Sequence, residues 1–210
     1  MVEGAILMND PNSLAIRAGV SARVAEISSN RRVRVADLAC GDGELLARLR
    51  DLGFTQLTGV GWKVTVPPTA TKVECVDLSR NGWADMFGGA TFDVLTATEV
   101  LEHLVNPYEF LVQARRLTVP GGHLIMTFPN VHNWRSIVGY AVAGRFSGFF
   151  GPNWNDNHPL YDQHIFVPNH ELVQYFLKLA GFEVVSIEFL FGRGKLFGTT
   201  AMFDCKAIPV

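Results

Sequence analysis

Hydrophobic positions change period several times along the chain. Ile16, Val20, Val24 and Ile27 recur at helical spacing, which predicts an N-terminal amphipathic helix within residues 1–30, running up to about Ser29. In "RVRVADLA", residues 32–39, the pattern switches to alternation, the signature of a buried strand. Leu45, Leu46 and Leu49 then return to helical spacing, with Gly53 as the stop. "QLTGVG" (56–61) and "KVECVD" (72–77) read as a second and a third strand, and "FDVLTAT" (92–98) as a fourth, apolar enough to be covered on both faces. Asn106-Pro107 supplies an N-cap and an N1 proline to a helix carrying Phe110, Leu111, Ala114 and Leu117. Pro120-Gly121-Gly122 predicts a turn into the strand "HLIMTF" (123–128). Residues 129–167 read as an irregular aromatic insertion containing Trp134, Phe146, Phe149, Phe150 and Trp154. Leu172, Val173, Phe176 and Leu179 form a last helix before Gly181, and "FEVVSIEFLF" and "GTTAMFDCKAI" close the chain as adjacent strands.

Strands alternating with helices imply a doubly wound α/β fold, a mostly parallel sheet with helices on both faces. The two consecutive terminal strands imply one antiparallel strand on that sheet. A ligand belongs beyond the carboxyl ends of the strands, at the switch point beside the first strand. The length of 210 residues suits a single domain spanning 1–210.

Composition narrows the function classes. Charged residues make up 18 % of the chain, the formal net charge is −2 and there is no long basic run, so the composition gives no electrostatic footprint for nucleic acid or an anionic membrane. Cys40, Cys75 and Cys205 have no metal-binding spacing and an odd count, which reads as free thiols in a reducing cytoplasm. The first residues lack the basic segment of a signal peptide, and "SIVGYAVAGRFSGFF" is interrupted by Arg145 and too short to span a bilayer. The expectation is a soluble, cytoplasmic protein.

The stretch "DLACGDGELL" carries the first chemistry. Gly41 and Gly43 are spaced G-x-G, but Leu46 occupies the place of the third glycine of a dinucleotide fingerprint, and the Asp37 carboxylate would repel a pyrophosphate. An ammonium or sulfonium would instead be attracted. Glycines admit a bulky group, and the N-terminus of the following helix can donate to a carboxylate. An amino acid joined to a nucleoside, such as S-adenosylmethionine, meets these demands; a tight strand-to-helix turn with an aspartate on its rim is the plainer alternative. Asp77, ending "VECVD", is placed either to accept from an exocyclic amine or to cap its own strand end.

Taken in order, "DLACGDG", "CVDL" and "FDVLTATEVLEHLVNPYEFLVQARRLTVPGGHLIMTFPN" resemble the class I S-adenosylmethionine-dependent methyltransferases, and within them the branch of the ubiquinone-biosynthesis O-methyltransferases, over about residues 33–190. The resemblance implies a seven-stranded Rossmann-like sheet with an antiparallel last strand. It implies that Asp37, Ala39, Gly41 and Gly43 line the methionine moiety, that Asp77 and Leu78 hold the adenine, and that Thr96 or Ala97 faces the amino-acid end. The family's acidic residue after the second strand, which accepts from the ribose hydroxyls, is replaced by Gly61. Trp62 beside it offers a face for adenine, or core packing.

"TEVLEHL" supplies the groups that methyl transfer to an alcohol or phenol requires. Glu99, Glu102 and His103 stand at i, i+3 and i+4, on one side of a helical turn. Two carboxylates and an imidazole suit Mg²⁺ or Mn²⁺. The segment resembles metal-dependent methyltransferases of the ubiquinone pathway and of small RNAs, and the latter add a histidine from a segment like "YDQHIF", implying His164. Without a metal, His103 is the catalytic general base. His132, His158 and His170 read as surface or loop residues. The aromatic insertion is expected to form either a lid over an aromatic or lipid-like small-molecule acceptor or a satellite core, with Arg135 and Arg145 near it. A methyltransferase-like binding or regulatory subunit without turnover competes with the enzyme, and Gly61 favours it. RNA methylation lacks a basic surface, and a nicotinamide dehydrogenase lacks its glycine pattern.

Overall fold

The computed structural model describes residues 11–61, 72–149 and 163–209. Its elements, in chain order, are α1 (Pro11–Ile27), β1 (Arg34–Leu38), α2 (Glu44–Asp51), β2 (Gln56–Gly61), β3 (Lys72–Cys75), β4 (Phe92–Thr98), α3 (Pro107–Leu117), β5 (Thr118–Pro129), α4 (Trp134–Ala143), α5 (His170–Ala180), β6 (Phe182–Leu190), α6 (Gly194–Phe197) and β7 (Thr200–Ala207), with 3₁₀ turns at Trp83–Phe87 and Leu101–His103. The strands form one seven-stranded sheet in the order β3-β2-β1-β4-β5-β7-β6. Neighbours from β3 to β5 are parallel, and β7 runs antiparallel to both β5 and β6.

Alternation along each central strand divides the core in two. Val35, Leu57, Val94, Ile125 and Met202 point to the face covered by Ile16, Val20 and Val24 of α1 and Leu45, Leu46 and Leu49 of α2. Their neighbours Ala36, Leu38, Val60, Leu95, Leu124, Met126 and Phe203 point to the other face, under Phe110, Leu111, Ala114 and Leu117 of α3 and Val173 and Leu177 of α5. A period of two in the strands thus meets a period of 3.6 in the helices on both sides. The strand order reverses between β1 and β4, and this switch point is where an open α/β sheet leaves a crevice for a ligand.

The structure differs from the sequence reading in three places. The Pro120-Gly121-Gly122 segment lies within β5: Phe92 pairs with Thr118 and Val94 with His123, so the glycines bulge out opposite Asp93 alone. A Cβ on Gly122 would stand 2.9 Å from the Asp93 carbonyl oxygen, a contact only glycine permits. The segment read as irregular contains α4, started by the Asn133 side chain accepting from the Ser136 N–H. His170 is a core residue, ringed by Phe128, Phe189 and Phe203 and touching His132. Trp62, Phe150, Trp154 and His158 lie outside the described residues. Among the described residues no helix is long and apolar enough to cross a membrane.

Candidate active site

At the end of β1 the chain turns sharply into α2. Ala39, Gly41 and Gly43 all have positive φ, of 63°, 53° and 78°. The Cys40 N–H donates to the Val60 carbonyl at 2.9 Å, hooking the turn onto β2, and the Gly43 N–H closes it on the Cys40 carbonyl at 2.8 Å. Asp37, one pleat before the turn, is only 3 % exposed. It lies in register with Thr96 on β4, whose hydroxyl donates to Asp37 Oδ1 at 2.7 Å. Burial pushes the Asp37 carboxyl up to about 7, against the opposing pull of the Thr96 hydroxyl and of the Arg17 guanidinium. Thr96 is itself fully buried, so it bears on the site through Asp37; Ala97 is buried beside it.

Arg17 is a residue that the sequence reading missed. Carried by α1, it is largely buried and bonds Glu44 Oε2 at 2.7 Å at the first residue of α2. It places a positive charge beside the glycine turn, a position that no sequence spacing reveals because it depends on how α1 packs across the sheet.

Asp77 lies past the end of β3 and holds its own turn. Its Oδ1 accepts from the Ser79 N–H at 3.0 Å and hydroxyl at 2.6 Å, and its Oδ2 pairs with Arg80 at 3.3 Å. Leu78 is buried in the core cluster that includes Trp83 and Phe110. Gly61 ends β2 in register with Cys75.

Polar side chains gather at the end of β4, the strand next to β1. Glu99 leaves the strand at φ 51°, with its N–H donating to both the carbonyl and the hydroxyl of Thr127. Left-handed backbone on a non-glycine residue stores strain, and such strain concentrates at functional sites. The following 3₁₀ turn buries Glu102 completely. Neither Glu102 carboxyl oxygen, nor Glu99 Oε1, has a hydrogen-bond donor among the described residues. Burial first, and the facing Glu99 second, hold the Glu102 carboxyl well above the usual range; burial raises Glu99 to about 7.

His103 Nδ1 stands 3.1 Å from the Gln163 carbonyl oxygen. A carbonyl only accepts, so Nδ1 carries the hydrogen and the neutral ring keeps its lone pair on Nε2. The Glu102 carbonyl accepts from the N–H groups of Ile165 and Phe166, at 2.8 and 3.0 Å, and this pins His164 over the site. Glu102, His103 and His164 offer ligand atoms that all lie within 4.8 Å of one another. The His164 ring sits 4.8 Å from that of His103 and 5.2 Å from that of Phe149; burial pushes it down to about 4, helped by His103. A buried carboxyl without donors and two imidazoles at this spacing fit a divalent cation. Arg135 and Arg145 are exposed, as solvated arginines.

A family model described as a methyltransferase domain matches residues 14–187. The chain belongs to the methyltransferase domain family. This methyltransferase domain is 32 % identical over 117 residues to a ubiquinone biosynthesis O-methyltransferase of Caulobacter, covering 53 % of this chain and 45 % of the relative. It is 30 % identical over 102 residues to the mitochondrial one of Schizosaccharomyces pombe, covering 45 % and 37 %. It thus spans under half the length of these curated relatives. Among solved structures it resembles a SAM-dependent methyltransferase from Archaeoglobus fulgidus, with TM-score 0.62 and 18 % identity over 90 % of this chain and 94 % of that one. It also resembles the cyclase SpnF, with TM-score 0.58 and 15 % identity over 91 % and 80 %. These structural likenesses show the fold alone, and the SpnF likeness illustrates why the reaction must be argued from the site.

Proposed function

We propose that this methyltransferase domain moves a methyl group from S-adenosylmethionine to an oxygen, less favourably a nitrogen, of a small-molecule acceptor. The observation that carries the reading is the pairing of two adjacent strand ends. The glycine turn and buried Asp37 end β1, and the Glu102–His103–His164 cluster follows β4. Asp37 suits the ammonium of the cofactor's amino-acid end, and Arg17 with the N-terminus of α2 suits its carboxylate. Asp77 and Leu78 border the adenine side. The curated relatives named as O-methyltransferases support oxygen as the acceptor atom.

Without a metal, proton removal falls to His103. Its Nε2 lone pair takes the acceptor's hydroxyl proton while the Gln163 carbonyl holds the ring at Nδ1. The acceptor oxygen displaces the sulfur at the methyl carbon, and the C–S electron pair stays on sulfur as S-adenosylhomocysteine. In the metal-dependent alternative, Glu99, Glu102, His103 through that same Nε2, and His164 would hold Mg²⁺ or Mn²⁺, and the ion would supply the acidity of the acceptor hydroxyl in place of the His103 base. Phe149, buried against His164, belongs to the aromatic segment and supports an aromatic or lipid-like acceptor.

The test is transfer of labelled methyl to a panel of phenols and long-chain alcohols, with and without chelator. Wild-type turnover lost in Asp37→Ala, with both proteins equally folded, is the expected result. Equal turnover by that variant would overturn the assignment of the β1 turn. An absence of turnover together with no S-adenosylhomocysteine binding would leave the binding-subunit reading.

A further inference from the structure

Beyond the carboxyl end of β5 the protein presents a face whose make-up differs from that of the whole chain. β5 ends at Pro129 and leads into α4. β7 is antiparallel to both β5 and β6, so β6 runs with β5, and the 191–199 connection that holds α6 emerges at the same edge of the sheet. Asn130 ties the two together. Its Nδ2 donates to the carbonyls of Lys195 and Gly198, each at 2.7 Å, and its N–H donates to the Thr199 carbonyl. Its own carbonyl accepts from Asn133, the N-cap of α4.

α4 rests on small residues. Ser136 is its buried position, and a Cβ at Gly139 would stand 3.2 Å from the Arg145 carbonyl oxygen. The large side chains point away: Trp134, Ile137, Val138, Tyr140 and Val142 are exposed, Val142 at 82 %. Phe191, Leu196 and Phe197 extend the apolar surface onto the 191–199 connection. Arg135, Arg145, Arg193 and Lys195 stand exposed among them, with the Arg135 guanidinium 5.5 Å from the centre of the Trp134 ring. Residues 130–149 and 189–199 hold these four of the chain's 18 lysines and arginines and none of its 20 acidic residues. Glu171 on α5, 3.2 Å from the Lys195 ammonium, is the one carboxylate bonded to the four cations among the described residues.

We propose that this face docks the protein on the surface of an anionic lipid bilayer, with the α4 and α6 side chains seated among the headgroups and the cations against lipid charge. A bilayer suits the face better than a protein for three reasons. Its residue types are those of a membrane interface: indole and phenol rings with an apolar body and a polar tip, aliphatic side chains, and arginines and lysine beside them. α4 is exposed around most of its circumference, which a plane of lipid covers and a groove on a protein covers on one side only. A second copy of the chain, set on this face by a twofold axis, would bring the same cations against one another. The net charge of −2 hides the face because the acidic residues lie elsewhere in the chain. β4 and β5 are parallel, so the Glu102–His103–His164 cluster lies at this same edge of the sheet, but the docking requires no methyl transfer.

Co-sedimentation of the intact chain with vesicles of phosphatidylcholine mixed with phosphatidylglycerol, and with vesicles of phosphatidylcholine alone, decides it. At low salt the affinity for the anionic vesicles is expected to exceed that for the neutral ones at least tenfold, and added salt should narrow the gap. Val138→Asp on α4 and, separately, Arg193→Glu on the connection are each expected to weaken anionic-vesicle binding at least fivefold, with circular dichroism unchanged. The two variants lie on different elements, so one remains informative if the other fails to fold. Folded wild-type protein that stays in the supernatant, or pellets equally with both vesicles, would overturn the proposal. Binding untouched by both variants would place the contact elsewhere and overturn it too. A wild-type dimer in analytical ultracentrifugation that Val138→Asp dissociates would give the face to a second copy instead of lipid.

Discussion

At the residue scale, the glycine turn after β1 contains a conformation its sequence does not favour. Ala39 holds φ 63°, where an L-residue with a Cβ costs about 1–2 kcal/mol. Ala39→Gly removes that strain and adds back part of it as unfolded-state entropy, so a net gain of about 0.5–1 kcal/mol is expected. Urea unfolding measures it, and a lower midpoint would show that the methyl group contributes packing instead. Asp37 makes a second prediction. Its carboxyl sits near 7 in the unliganded protein, above the 3.8 of an ordinary aspartate. The proton is therefore held more tightly by the folded chain, and ionising Asp37 lowers stability as pH rises from about 4 to 7. An ammonium ligand favours the ionised form, so binding releases a proton. S-adenosylhomocysteine should bind about eightfold more tightly at pH 7.5 than at pH 6. Asp37→Asn should bind weakly at both, and a wild-type affinity that does not change with pH would remove Asp37 from the ligand. Asp37 and the glycines were readable from type and spacing, whereas the left-handed Ala39 was not, since alanine carries no signal of positive φ.

At the element scale, α1 is fastened across the sheet by two arginines. Arg17 reaches the start of α2, and Arg23 reaches Asp204 on β7 at 2.7 Å. Asp204 is buried and also bonds His123 Nδ1 at 2.7 Å. Although burial opposes ionisation, the bonds from His123 and Arg23 hold its carboxyl below the ordinary value of 3.8. A depressed carboxyl contributes stability above its unfolded pKa and loses it as pH falls through the folded one. That contribution is full at neutral pH, begins to be lost below about pH 4 and is gone once the pH has fallen below the folded value. Asp204→Ala removes the bonds from Arg23 and His123 while Arg23 keeps Glu26 and Ser186, and should cost about 1–3 kcal/mol at pH 7. The difference from wild type should shrink on acidification, and an undiminished difference at pH 3 would point to packing. α1, α2, α3 and α5 were legible because each buries an apolar stripe. α4 was not: among its ten residues only Ser136 is buried, while Trp134, Ile137, Val138, Tyr140 and Val142 are exposed. Large residues outward and a small one inward leave no inward apolar period to detect.

At the scale of the whole molecule, the acidic cluster is assembled across the fold. Glu99, Glu102 and His103 come from the end of β4, and His164 arrives some sixty residues later through backbone bonds to the Glu102 carbonyl. Mn²⁺ titration followed by electron paramagnetic resonance should show one tight site, weakened at least tenfold in His164→Ala. Unchanged affinity in that variant would confine binding to the β4 end. By itself the sequence determined the doubly wound sheet with its antiparallel strand, because alternation and helical spacing are local and strong. It also determined the chemical types at the β1 and β4 ends, because a glycine turn and an E-x-x-E-H run are contiguous. Only the tertiary structure decided that Asp37 is buried and bonded by Thr96, that Arg17 stands at the turn, that His170 is core and that Glu102 has no donor among the described residues. Each of these depends on which distant elements pack together, and it is burial, set by that packing, that moves the carboxyls and imidazoles from their ordinary protonation.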